Sequence, residues 1–152
     1  MTLREYLTHQ YESNVLFGIE KPNIIEFPDS TFEVTSGHSP DSAFNDGYTV
    51  KITRYIPWIM NMDNIDLTGV DIIGRHAFTF ARMYDSITLK TGTVYKIEKG
   101  AFESINKLSL YSVDNLRCIE FGAFKAIENL HIDALDVKPD SEISFLWGKE
   151  YI

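Results

Sequence analysis

Apolar positions recur through the middle of this chain with a period of a little over twenty residues. The triplets Ile65-Asp66-Leu67, Ile87-Thr88-Leu89, Leu108-Ser109-Leu110 and Leu130-His131-Ile132 alternate apolar and polar, at spacings of 22, 21 and 22. Such alternation predicts short strands with one buried face. Between the triplets lies a second apolar pair, Val70/Ile73, Val94/Ile97 and Leu116/Ile119. A hexapeptide follows: Ile97-Glu98-Lys99-Gly100-Ala101-Phe102 returns 22 residues later as Ile119-Glu120-Phe121-Gly122-Ala123-Phe124. An imperfect copy, Ile73-Gly74-Arg75-His76-Ala77-Phe78, lies 24 residues upstream. Self-similarity at this period signals a stacked solenoid with one supersecondary unit per copy.

Stacking like on like gives ladders of Leu/Ile, of Ile, and of Phe78, Phe102 and Phe124. Each Phe fills the wide end of a coil and buries a large apolar area. Ala fits where chains approach closely, and Gly100 and Gly122 serve a tight turn. The first copy carries His76 where the others carry Gly. Its Phe also lies three residues further from the next triplet, which predicts a longer loop or a short helix over Thr79–Asp85.

Residues 1–60 do not repeat cleanly. Thr2-x-x-Glu5 is a capping-box pattern. Leu3, Leu7 and Tyr11 then share one face of a helix over 3–13. Apolar pieces follow, Val15-Leu16-Phe17, Ile24-Ile25-Glu26-Phe27 and Phe32-Glu33-Val34, and residues 36–47 read as a loop. Ala43-Phe44 before Val50-Lys51-Ile52 imitates the later Phe-to-strand interval and reads as a degenerate repeat. A solenoid end needs a cover, so 1–60 is assigned as an N-terminal cap and 61–152 as the solenoid. Ile143-Ser144-Phe145-Leu146-Trp147 would close the far end. The apolar run Tyr55-Ile56-Pro57-Trp58-Ile59-Met60 reads as the junction that packs the cap on the first repeat.

The pattern I/V-x-x-I-x-x-G-A-F followed by L-x-L, over about residues 61–135, resembles the leucine-rich-repeat subclass typified by BspA-like surface proteins. That resemblance implies a right-handed solenoid with a parallel sheet on one face, and protein binding or adhesion as its use. The fold class expected is therefore mainly β with short helical or irregular segments: a leucine-rich-repeat solenoid with a parallel sheet and an N-terminal cap.

Composition narrows the functional classes. The chain has 152 residues, 44% of them hydrophobic, which suits one packed domain. No apolar run is long enough for a transmembrane helix. The start, Met1-Thr2-Leu3-Arg4-Glu5-Tyr6, lacks the layout of a secretory signal, and the reading is cytoplasmic. The net charge of -8 disfavours a direct nucleic-acid binder, which needs cations to neutralise phosphates. Residues 1–60 and 61–152 each contribute -4, so the charge is no terminal tail. Cys118 is the single cysteine, and His9, His38, His76 and His131 are dispersed, so neither a disulfide framework nor a zinc site is expected. Gly69, Gly74 and Gly92 are isolated and form no phosphate loop.

The polar positions of the triplets and their neighbours form the candidate site. One column is Asp66, Thr88, Ser109 and His131. The column just beyond it is Thr68, Lys90, Tyr111 and Asp133, and the one before is Asn64, Ser86, Lys107 and Asn129. The expected partner-binding residues are Asp66, Thr88, Lys90, Ser109, Tyr111, His131 and Asp133. Asp66 and His131, three rungs apart, are separated by about 14 Å, beyond acid–base reach. Ser109 and His131 lie one rung apart but lack an orienting acid and an oxyanion device. No catalytic residue, metal or cofactor is expected. The leading expectation is a non-catalytic protein-binding module, with a homodimer permitted. The alternative is an acidic inhibitor, anti-CRISPR-like, of the kind phages deploy, that blocks a nucleic-acid-binding surface of a host defence protein. Asp133, Asp136, Asp140 and Glu142 would attract the basic face of such a target.

Overall fold

The computed structural model describes residues 1–56, 65–81 and 84–133. The expectations for Trp58 and its neighbours 57–60, for Asn64, for Asp136, Asp140 and Glu142, and for the closing strand 143–147 lie outside the described residues. The chain is mainly β, with one α-helix and a solenoid of about three turns.

Helix α1 (Leu3–Leu16) starts as its capping box demands, because Thr2 Oγ1 accepts the Glu5 N–H at 3.1 Å. It turns Leu7 wholly into the core, with Leu3 and Tyr11 packed beside it. Strands β1 (Ile24–Glu26), β2 (Ser30–Ser36) and β3 (Tyr48–Tyr55) then form an antiparallel meander. Helix and meander together cover the N-terminal end of the solenoid. One continuous core runs from Leu7 to Ile132.

The repeats build two parallel stacks rather than one sheet with an irregular back. The triplets give β4 (Ile65–Asp66), β6 (Ser86–Lys90), β8 (Lys107–Tyr111) and β10 (Asn129–Ile132), which form a four-stranded sheet. The hexapeptide starts give β5 (Ile72–Ile73), β7 (Lys96–Ile97) and β9 (Cys118–Ile119). These continue the meander, in the order β1-β2-β3-β5-β7-β9. The cap thus closes the solenoid by becoming part of one of its sheets.

That continuation corrects the reading of the degenerate repeat. Val50-Lys51-Ile52 does not imitate a triplet strand: Lys51 pairs with Ile72 and Ile52 with Ile73. Phe44 does not join the Phe ladder. Tyr55 does: its N–H donates to Ala77 O at 2.8 Å, as Phe78 donates to Ala101 O and Phe102 to Ala123 O at 3.1 Å. The rings stack in one file, with centroids 5.3 Å apart for Tyr55–Phe78, 4.9 Å for Phe78–Phe102 and 6.0 Å for Phe102–Phe124. The three Phe side chains are fully buried.

The imperfect first copy has a physical explanation. Gly100 and Gly122 sit at φ +72° and +88°, the left-handed turn that glycine permits. His76 makes the same turn at φ +56°, and its ring lies over Gly100. A Cβ on Gly100 would meet His76 Cε1 at 2.6 Å. Gly74, standing where the other copies carry Glu, lies beneath the side chain of Lys51 and close to Ile52 O. Lys51 crosses this rung to reach Glu98 at 3.2 Å. The longer interval after Phe78 contains the expected short helix, a 3₁₀ turn at Thr79–Ala81.

Candidate interaction face

The four-stranded sheet turns Ile87, Leu89, Leu108, Leu110 and Ile132 inward, and its alternate residues outward. Thr88, Ser109 and His131 fall on neighbouring rungs, as expected. Asp66 does not join them. β4 pairs Ile65 with Leu89 and Asp66 with Lys90, two residues out of the expected register. The reason is the Phe ladder: Phe78 and Phe102 are 24 residues apart and stack directly, so the strand one coil back is also offset by 24. The outward row is therefore Asp66, Lys90 and Tyr111. Asp133 extends the same ladder, its N–H donating to Leu110 O at 2.8 Å.

The site residues thus form two rows, Thr88–Ser109–His131 and Asp66–Lys90–Tyr111–Asp133. Thr68 leaves the face and turns back on Asp66, whose Oδ1 accepts both its N–H at 2.9 Å and its hydroxyl at 2.7 Å. Burial pushes the Asp66 carboxyl up, but those two donors and the nearby Lys90 charge outweigh it and hold it below its usual value. At one edge Asp85 accepts from Asn106 at 2.5 Å and lies 3.6 Å from Lys107 Nζ. Ser109 and His131 share no hydrogen bond among the described residues, and no described cluster of His, Cys, Asp or Glu could hold a metal ion. No described helix is long and apolar enough to cross a membrane.

The loops beside these strands are fixed by side chains. Thr91 is fully buried, and its hydroxyl donates to Tyr111 O and Ser112 O. Thr93 Oγ1 accepts the Gly69 N–H at 2.7 Å and donates to Val70 O at 3.0 Å. One coil on, Asn115 Nδ2 donates to Gly92 O at 2.9 Å. Such cross-rung bonds satisfy backbone groups that would otherwise be orphaned where the strands end.

The cap is seated by a buried polar cluster. Arg4 is 4% exposed and Asp71 0%. Arg4 Nη1 donates to Asp71 Oδ2 and to Gly69 O, both at 2.9 Å. Nε and Nη2 grip Asp46 in a two-point fork at 2.6 and 2.9 Å, and Nη2 also donates to Tyr48 O. The Phe44 ring lies 4.0 Å from the guanidinium carbon. Asp71 accepts further bonds from Ser42 Oγ and the Val50 N–H. Burial works against the Arg4 charge, yet bonds to Asp46 and Asp71 prevail and raise its pKa. The Arg4 fork in turn holds the Asp46 carboxyl below its usual value.

One surface escaped the sequence reading. At the end of α1, Val15, Leu16, Phe17 and Ile19 are exposed, Leu16 by 79% and Phe17 by 75%. Gly18 at φ +68° and the Ile19 N–H bond to Asn14 O hold this turn. The signal lay in Val15-Leu16-Phe17 just past the predicted helix end, with no partner face assigned to it. Comparisons with family models, with curated proteins and with solved structures find no match to this chain.

Proposed function

We propose that this chain is a non-catalytic protein-interaction module, a short leucine-rich-repeat solenoid similar to the BspA-like class, that binds a protein partner through the outward face of its four-stranded sheet. The observation that carries this reading is that the face is uncovered among the described residues. Helix α1 packs on β1, β2 and β3, so no described helix lies over the rows Thr88–Ser109–His131 and Asp66–Lys90–Tyr111–Asp133. Solenoids use such ordered faces for recognition, because stacked rungs fix side chains at regular spacing without loop entropy. In this reading the module works in the cytoplasm and needs no cofactor.

Inhibition by mimicry of a nucleic acid has less support. Lys90 and Lys107 interrupt the carboxylates of Asp66 and Asp133, so the described face is not continuously acidic.

The test compares the native chain with Thr88→Arg and Ser109→Arg in quantitative capture of partners from the native host. Both variants should keep the wild-type circular dichroism and lose the captured protein. Capture unchanged in both folded variants would place binding elsewhere. Mimicry instead predicts loss of capture at high salt and on Asp133→Asn.

A further inference from the structure

A second concave feature lies where the cap meets the first coil. Leu3 of α1, Phe27 and Phe32 of the β1–β2 hairpin, Ile52 and Tyr55 of β3, Ile65 of β4 and Leu67 just beyond it wall a cleft of about 320 Å³. Asp29, Ser30 and Asp66 complete its lining. The volume is at the low end for ligand sites, which span about 300–1,000 Å³, and suits one long side chain rather than a nucleotide or a large cofactor.

The lining has one sign of charge. Asp29 and Asp66 are both exposed, and among the described residues neither is in an ion pair. Asp66 Oδ1 is satisfied by Thr68, and Asp29 Oδ1 accepts the Ser30 hydroxyl at 3.1 Å. These are neutral donors, so among the described residues no contacting cation compensates either charge. Lys90, paired with Asp66 on the neighbouring rung, acts on it by charge and helps keep that carboxylate ionised. Burial, with Asp29 and Tyr84 nearby, raises the Tyr55 phenol, so it stays protonated at neutral pH and serves as a hydrogen-bond donor or acceptor at the cleft wall.

An occupant that satisfies this lining has an apolar stem for the Leu3, Phe27, Phe32 and Ile65 walls and a cationic head for the two carboxylates. Arginine has that form: its methylenes bury against apolar surface while the planar guanidinium forks carboxylates. We propose that this cleft is a specificity pocket that receives an arginine side chain of the partner protein, flanked by an apolar residue. The inference rests on the protein-interaction reading above. It extends that reading from the sheet face to the edge where Asp66 belongs to both surfaces.

Titration of the ¹⁵N-labelled full chain with acetyl-Phe-Arg-amide, and with its neutral counterpart carrying citrulline, tests the pocket directly. The arginine peptide should shift the amides of Phe27, Ser30, Asp66 and Leu67 saturably, and the citrulline peptide should bind about tenfold more weakly or less. Asp29→Asn combined with Asp66→Asn should bring the arginine peptide down to the citrulline level, with the rest of the spectrum unchanged. Equal affinity for the two peptides, shifts confined to residues outside the cleft, or no shift at millimolar peptide would overturn the proposal. Loss of partner capture on Thr88→Arg, together with a silent cleft, would sink this inference and leave the sheet-face reading standing. Arginine binding in the cleft with capture indifferent to Thr88→Arg would do the reverse.

Discussion

The guanidinium of Arg4 donates to the buried carboxylate of Asp71 at 2.9 Å, across 67 residues of sequence. All five N–H donors of Arg4 are used, on two carboxylates and two carbonyls. Asp71 in turn holds Ser42 and the Val50 N–H. Helix, loop, meander and first coil therefore meet at one side chain.

Arg4→Ala leaves Asp71 buried without its counter-charge, which costs about 3–5 kcal/mol. Arg4→Lys keeps the charge but cannot reproduce the fork and should recover only part of the loss. Urea unfolding of the three proteins checks the order; a loss below about 1 kcal/mol in Arg4→Ala would mean the cluster does not hold the cap.

Acid should weaken the same seam. The Asp46 carboxyl is depressed in the folded chain, so its contribution is complete above the unfolded carboxylate pKa of about 3.9 and fades as pH falls through the lower folded value. Asp46→Asn should therefore lower stability at neutral pH and flatten the acid limb of the stability curve. An acid limb unchanged in slope would contradict that account.

At the alkaline end Tyr48 is the reporter. Its hydroxyl donates to Glu12 Oε1 at 2.6 Å, and that bond, with burial and the Glu12 charge behind it, pushes the phenol up to about 12. A raised folded pKa makes this contribution complete below the unfolded value of about 10, and it is lost as pH rises through about 12. Ultraviolet titration should show a late-ionising phenol in the native chain that ionises earlier in Glu12→Gln, while the raised Tyr55 phenol is unchanged between the two.

The first hexapeptide predicts an asymmetry between two substitutions that both move it toward the other copies. Gly74→Glu places a Cβ 2.9 Å from Ile52 O and into the path of Lys51, and should cost about 1–3 kcal/mol. His76→Gly removes a side chain from a left-handed position and should stabilise by about 1 kcal/mol. Gly100→Ala should be less harmful in the His76→Gly background than alone, since the clash with the imidazole is then gone. Thermal melts of the singles and the double decide this.

Phe102→Ala removes the middle of the ring file between Phe78 and Phe124 and should cost about 3–5 kcal/mol. A negligible change would mean the file is not tightly packed.

Much of this fold was legible because repetition does the averaging that a single sequence otherwise lacks. The Ile, Ala and Phe columns recur in register, and each side chain they predict inside is inside. The register of the candidate face was legible as far as Thr88, Ser109 and His131 are concerned. It went wrong at Asp66, because alternation alone cannot choose between offsets of 22 and 24, both of which keep Ile65 facing inward. The Phe spacing held the answer, since stacked rings leave no slack. Phe44 was misplaced for another reason: Ala-Phe is a short signal, and the Arg4 guanidinium over its half-buried ring gives this Phe a partner outside the ladder. Arg4 itself gave no local sign, as its partners come from positions 46, 48, 69 and 71.

The paired departures at Gly74 and His76 make the first coil an adaptor. It takes the reach of Lys51 on one side and offers the His76 ring to a glycine on the other. A second adaptor in tandem would put Gly74 where Lys51 needs Glu98, and a histidine where the first imidazole needs a glycine. The later coils carry no such restriction, since each presents Glu and Gly to its neighbours. Chain length is thus free to change by whole coils beyond the adaptor while the Arg4 seam is untouched. A protein with residues 97–118 duplicated should melt cooperatively, whereas one with residues 73–96 duplicated should not.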